Sequence, residues 1–289
     1  MSRLEVAVFK CAQQYLRLFS HHRGQRFVIS LARRILGNTW IAAIGTGLRM
    51  YADPADAVEG LILQDRYEPH TTELFVNLLE PGSTVVDIGA HTGYYTMLAA
   101  ERVGPRGQVH SFEPVSFLFE RLSRNVDLNS LHNVCLNNVA LWDKETELAL
   151  YLPTNRNSGG TSIVRTPKTQ QEPIFVNSLV LDSYVNGNGV GRIDLIKIDA
   201  EGAELFILKG GTETLKESMP DVICEIHEHT FPAAGYSPED LLHFMGGLGY
   251  QAFYIETPWS GVHYAYFSQT PRASLPLWEW PITKVSSGI

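Results

Sequence analysis

A chain of 289 residues, 44% hydrophobic and 19% charged, can bury a core without staples, as one large domain or one domain with an extension. Its formal net charge of −8 excludes a nucleic-acid binder that works by neutralising phosphates, since that needs clustered Lys and Arg. Cys11, Cys135 and Cys224 are odd in number, far apart and without CxxC spacing, which excludes a disulfide framework or zinc site and makes a reducing cytoplasm the expected compartment.

Residues 1–80 predict an extension of helices and one hairpin. Helical periodicity covers about 3–19 and 25–36. The first stretch is mildly amphipathic and lacks the apolar core and cleavage site of a signal peptide. No apolar run is long enough to span a bilayer. The charges of the first helix form no strongly basic face, so it is read as packing on the domain or a second subunit, not on a membrane surface. A homodimer is the corresponding expectation. Trp40–Ile44 and Leu48–Tyr51 flank Gly45-Thr46-Gly47 and read as a hairpin. Helical stretches follow at about 54–63 and 71–79, and Pro81-Gly82 then punctuates the chain.

From Thr84 strands and helices alternate. Strands are predicted at Thr84–Ile88, Gln108–Phe112, Val134–Val139, Asp194–Ile198, Asp221–Ile226, Tyr250–Ile255 and His263–Phe267. Glu147–Leu152 reads as an accessory edge strand, and Pro153–Glu172 as a polar loop that is a candidate lid. Near-continuous apolar strands separated by helices indicate a sheet covered on both faces. The expected class is α/β: a Rossmann-like, seven-stranded, mostly parallel sheet with a C-terminal antiparallel hairpin, spanning 81–270 and followed by a tail, 271–289. Such a sheet binds its ligand at the carboxyl ends of its strands.

The turn after the first strand of that sheet reads Asp87-Ile88-Gly89-Ala90-His91-Thr92-Gly93-Tyr94. A dinucleotide fingerprint needs GxGxxG so that backbone can approach a pyrophosphate. Here His91 stands where the second glycine would be, and Asp87 would repel a pyrophosphate but attract an ammonium group. The pattern therefore favours S-adenosylmethionine over NAD. Gly89, Ala90, His91, Gly93 and Tyr94 become candidate cofactor contacts with Asp87. The second strand ends in Phe112-Glu113-Pro114, which places a carboxylate where ribose hydroxyls would be bound. Backbone around Ala140 is a fainter candidate for the adenine edge.

A second cluster reads Lys197-Ile198-Asp199-Ala200-Glu201-Gly202-Ala203-Glu204. A lysine inside a central strand needs a carboxylate partner. The neighbouring strand supplies Glu225, with His227 and His229 beyond it. General-base catalysis is the first reading, a structural Lys197–carboxylate pair with Glu204 facing solvent the second, and a metal site the third. Asp199 or His227 is the expected base, with Glu225 orienting the imidazole and Lys197 holding a carboxylate charged; Asp199 is also a candidate cofactor contact, and the metal reading would use Asp199, Glu201 and the histidines.

The stretches Val86-Asp87-Ile88-Gly89 with Gly93 and Tyr95, Phe112-Glu113-Pro114, Lys197–Glu204 with Leu208-Lys209-Gly210, and Glu225-Ile226-His227 resemble the FkbM-type methyltransferases. The resemblance covers roughly residues 45–256. It implies an S-adenosylmethionine-dependent O-methyltransferase acting on a hydroxyl of a sugar or secondary metabolite. It also implies that Asp87, Gly89, Gly93 and Glu113 hold the cofactor, while Asp199, Glu201, Glu225 and His227 line the reaction cleft. A nicotinamide-dependent oxidoreductase and a non-catalytic nucleotide-binding scaffold are the rival readings. Acidic charge and the lack of an Asn- or Asp-Pro-Pro-Tyr element count against methylation of nucleic-acid bases. Trp40, Tyr51, Trp259, Tyr264, Trp278 and Trp280 are candidates to stack on an acceptor, although core or subunit contacts explain most of them as well.

Overall fold

The structure, a computed structural model, describes residues 3–18, 24–154, 157–167, 169, 172–255, 262–270 and 278–279. Two helices, α1 (Arg3–Leu18) and α2 (Gln25–Leu36), lead into the hairpin β1 (Trp40–Ile44) and β2 (Leu48–Ala52). Helices α3 (Ala57–Leu63) and α4 (Pro69–Leu78) follow. The main run is β3 (Thr84–Ile88), α5 (Tyr94–Val103), β4 (Gln108–Phe112), α6 (Ser116–Leu128) and β5 (Val134–Asn137). Next come β6 (Ala140–Trp142), β7 (Glu147–Leu150), β8 (Ile174–Val180) and α7 (Leu181–Gly187). The chain continues through β9 (Leu195–Ile198), α8 (Glu204–Gly210), α9 (Thr212–Ser218) and β10 (Asp221–His227). It closes with α10 (Thr230–Ala234), α11 (Pro238–Gly247), β11 (Gln251–Ile255), β12 (Val262–Ser268) and β13 (Trp278–Glu279).

The main sheet has the order β13-β11-β12-β10-β9-β3-β4-β5. Strands β10, β9, β3, β4 and β5 are parallel, and β12 inserts antiparallel between β10 and β11. The expected seven strands are all present; two residues of the expected tail add an eighth, short edge strand. Burial explains the apolar strands: β9 is buried at every position and β3 at all but its first, because helices cover both faces.

Two expectations change. The third strand of the sheet stops at Asn137, and the chain resumes as β6 in a separate sheet with β7 and β8. Strand β8 and helix α7 were not expected from the sequence. Strand β8 is only half buried, so its apolar residues lack the continuous run of a core strand. Trp259 and Trp280, and the side chain of Trp278, lie outside the described residues. Trp40 is buried in the core beneath α1 and α2, as the bland reading of it expects.

The extension is not a separate body. Helix α4 shares a core with β3 and α5. Helix α3, capped by Asp56 through Val58 N–H and Glu59 N–H, forms one wall of the cavity described below.

Candidate functional site

The carboxyl ends of β3, β4, β9 and β10 open into one cavity of about 530 Å³. That volume lies within the range of small-molecule sites. Two strand-to-helix turns, one after β3 and one after β9, form adjacent parts of its wall.

The β3 turn is held by close backbone contact. Gly89 has φ +76, and a Cβ there would lie 1.8 Å from the Asp199 carbonyl oxygen, so no other residue fits. Asp199 N–H donates to the Ile88 carbonyl, tying this turn to the next strand. Glu113 reaches across from β4: Oε2 accepts His91 N–H at 2.8 Å and Oε1 accepts Val115 N–H at 2.8 Å. Burial pushes its pKa up to about 8. His91, at φ +53, pairs through Nε2 with Ser158 Oγ at 2.7 Å, and burial pushes its pKa down to about 4. Asp87 is buried, accepts Thr96 Oγ1–H at 2.6 Å, and has its pKa raised by burial.

The β9 turn is clamped by a residue of its own helix and braced from afar by Tyr236 O–H on the Gly202 carbonyl and Ser162 O–H on the Glu201 carbonyl. Glu204 accepts Ala200 N–H on Oε1 and Gly202 N–H on Oε2, and Tyr236 O–H also donates to it. The side chain is fully buried, which counts against the second reading, in which Glu204 faces solvent. Burial pushes its pKa up to about 7. Between those two N–H donors Glu201 sits at φ +48, a conformation that strains a non-glycine residue.

Below the turns lies a buried ionic network. Lys197 Nζ is 2.9 Å from Asp199 Oδ2 and 4.4 Å from the Tyr95 ring centre. Burial works against the Asp199 charge, but the Lys197 ammonium outweighs it and holds this carboxyl below its ordinary pKa. Glu225 shares a hydrogen bond with Asp199, and burial pushes its pKa well up, so Glu225 is the protonated partner. Tyr264 Oη lies 2.8 Å from Asp199 Oδ2 and 2.9 Å from Glu68 Oε1. One phenol hydrogen cannot serve two carboxylates, so one acid must carry a proton of its own. Lys197 keeps Asp199 ionised, so the proton belongs to Glu68, which also accepts Tyr95 O–H at 2.7 Å and whose pKa burial raises.

Most of the expected site residues line this one cavity: Asp87, Gly89, Ala90, His91, Tyr94, Glu113, Pro114, Ala140, Lys197, Asp199, Glu201, Glu225 and His227. Gly93 does not. At φ +95 it starts α5, and a Cβ there would meet the Leu122 side chain at 2.5 Å, so it serves packing. Nor does Glu225 orient His227: it faces Asp199, while His227 Nε2 lies 3.7 Å from Glu201 Oε2. His227 Nδ1 accepts His229 N–H at 3.3 Å, so the neutral ring carries its proton on Nε2, toward Glu201. Asp199, held charged by a lysine, is a weak base. Sequence reasoning missed Glu68 as well as Tyr95 and Tyr264 as partners of the network. A buried lysine was itself a signal that several polar partners converge. Glu68, ahead of Pro69, carries no local mark that separates it from an ordinary helix-start residue.

Residues 87–252, more than half of the chain, match the methyltransferase FkbM domain. The chain is 28% identical over 183 residues to the methyltransferase sdnD of Sordaria araneosa, covering 54% of this chain and 69% of that protein. It is 27% identical over 176 residues to the hexuronic acid methyltransferase AglP of Haloferax volcanii, covering 61% of this chain and 66% of that protein. The crystal structure of methyltransferase FkbM from Methylobacillus flagellatus KT covers 91% of this chain and 58% of its own, at 16% identity and a TM-score of 0.45.

Proposed function

This chain belongs to the FkbM methyltransferase family, and from that premise we propose that it transfers a methyl group from S-adenosylmethionine to a hydroxyl of a small molecule, a sugar in the first instance. One observation carries the reading: the clamped Gly89 turn and the Asp199–Glu201–His227 cluster line a single cavity. The relative AglP is named for a hexuronic acid, which supports a sugar acceptor.

The residues present suit the donor. Carboxyl groups of Asp87, Glu113 and Asp199 answer a cationic ligand with polar hydroxyls, while Leu118, Val139, Ala140 and Leu141 offer an apolar wall to a flat base. Asp87 and the Gly89–His91 backbone would hold its amino-acid end, and Glu113 its ribose. When bound, S-adenosylmethionine supplies a methyl group already activated by a sulfonium charge. The chain then needs to align an acceptor oxygen and exclude water.

An alcohol hardly ionises at neutral pH, so a base assists. Glu201 is the group placed to act. Burial pushes its pKa well up, the direction that makes a carboxylate an effective base near neutrality. Glu201 Oε2 takes the hydroxyl proton while His227 Nε2–H steadies the carboxylate. Asp199, kept charged by Lys197, fixes the floor of the cleft. This assignment moves the base from Asp199 or His227 to Glu201.

The test is a labelled donor offered with a panel of glycosides, phenols and polyketide alcohols, read by mass shift. Calorimetry with S-adenosylhomocysteine and with NAD accompanies it. Binding of the former alone is expected; NAD binding in its place overturns the reading in favour of an oxidoreductase. Glu201→Gln should lower turnover by on the order of 10²–10⁴ while S-adenosylhomocysteine affinity stays nearly unchanged. Wild-type turnover in that variant would return the base to another residue.

A further inference from the structure

We infer that the α1–α2 helical pair is a docking surface for an anionic lipid bilayer. The sequence shows an amphipathic pattern here, but only the fold shows which faces remain uncovered. Helix α2 packs Ala32 into the core under Trp40, and Arg33 turns inward to Asp53 at 2.9 Å. Its outer side carries Phe27, Leu31 and Ile35, exposed by 71%, 51% and 42%. They stand four residues apart and so form one row along the helix. The adjacent row, one residue earlier, holds exposed Arg26 and Arg34. Helix α1 likewise exposes Leu4 and Leu18, with exposed Lys10 between them along the chain. An apolar row bordered by arginines is the pattern of a helix lying in the plane of a membrane interface.

Charge selects the occupant. Residues 1–36 contain Arg3, Lys10, Arg17, Arg23, Arg26, Arg33 and Arg34 against Glu5 alone, a net +6. The whole chain carries −8, so the remainder carries −14. A twofold contact through this face would bring two +6 segments together, which disfavours a second copy of the chain. An anionic headgroup surface is complementary to the segment and repels the rest of the molecule, which orients the chain helices-down. Helix α3, which walls the cavity, packs against the same core as α1 and α2.

Co-sedimentation of the full chain with vesicles tests this directly. Vesicles of phosphatidylcholine mixed with phosphatidylglycerol should pellet the chain. Pure phosphatidylcholine should bind it on the order of a hundredfold more weakly, the effect of three exposed cations near the surface. The triple variant Phe27→Asp, Leu31→Asp, Ile35→Asp and the double variant Arg26→Glu, Arg34→Glu should each abolish pelleting at an unchanged thermal midpoint. Light scattering is measured in parallel. Absence of pelleting with a monomeric chain overturns the proposal. So does a dimer that the triple variant dissociates, which would give this face to a second copy.

Discussion

The two turns that face the cavity solve one problem in two ways. Each bends a parallel strand into a helix, each holds a non-glycine residue at positive φ, and each is clamped by a buried glutamate that accepts two backbone N–H groups. At the Gly89 turn the clamp, Glu113, arrives from another strand, 22 residues from His91 in sequence. At the Gly202 turn the clamp, Glu204, is only two to four residues from its donors. A turn braced across strands holds its shape as long as the sheet does. The Gly202 turn takes its clamp from the start of its own helix, and Tyr236 and Ser162 brace it from 32 to 39 residues away.

Substituting the glycines breaks the comparison most severely. Gly89→Ala forces a Cβ into the Asp199 carbonyl at 1.8 Å and should cost about 4 kcal/mol or more, or prevent folding. Gly202→Ala meets neighbours no nearer than 3.4 Å and bears only the strain of φ +104, about 1–3 kcal/mol. Chemical denaturation of both variants measures the gap, and equal losses would mean that the two turns are braced alike.

Removing the clamps gives the next largest effect. Glu113→Ala leaves the N–H groups of His91 and Val115 without an acceptor, at about 2–5 kcal/mol, and should also weaken S-adenosylhomocysteine binding in calorimetry. Glu204→Ala should cost less, about 1–3 kcal/mol, because Ala200 is partly open to solvent; the loss should fall on turnover, since Glu201 sits in that turn. A Glu204→Ala variant that loses cofactor affinity while keeping turnover would reverse these assignments.

Acidity separates the clamps more finely. Both glutamates have folded pKa values above the ordinary 4.5, near 8 for Glu113 and near 7 for Glu204. The native state therefore holds their protons more tightly than the unfolded chain. The stability they contribute is complete below about pH 4.5 and is lost as pH rises through about 7 for Glu204 and about 8 for Glu113. Thermal midpoints measured across that window should fall, and Glu113→Gln should remove the upper part of the slope. A midpoint that rises with pH between those limits, and does so unchanged in the variant, would show that both clamps are ionised throughout.

The smallest expected effect lies under both turns. Glu68 is protonated, so Glu68→Gln, a neutral isostere that still donates to Tyr264, should change stability by less than about 1 kcal/mol. Glu68→Leu should cost several times more. If the glutamine variant is as damaging as the leucine one, Glu68 is ionised, and Asp199 takes the proton instead.

Much of this site was legible in the chain. The Val85–Gly93 stretch reads as a buried strand running into a tight turn, since a mainly apolar run, broken only at Asp87, ends in glycine. Lys197–Glu204 announced buried charge, because a lysine between isoleucines in a central strand must be paired. Local chemistry of this kind lies within a few residues and survives in sequence order. Also legible were the spacing of the Gly89 turn, Glu113 and the acidic cluster, and the alternation that demands a parallel sheet. What tertiary structure alone decided were the pairings: Glu113 with the His91 turn, Glu225 with Asp199 and not His227, Glu201 with His227, and Glu68 with Tyr264 across 196 residues of chain. Hydrogen bonds and charge neutralisation are made between atoms a few ångströms apart in space. No sequence pattern records which carboxylate will stand beside which donor once the strands are side by side.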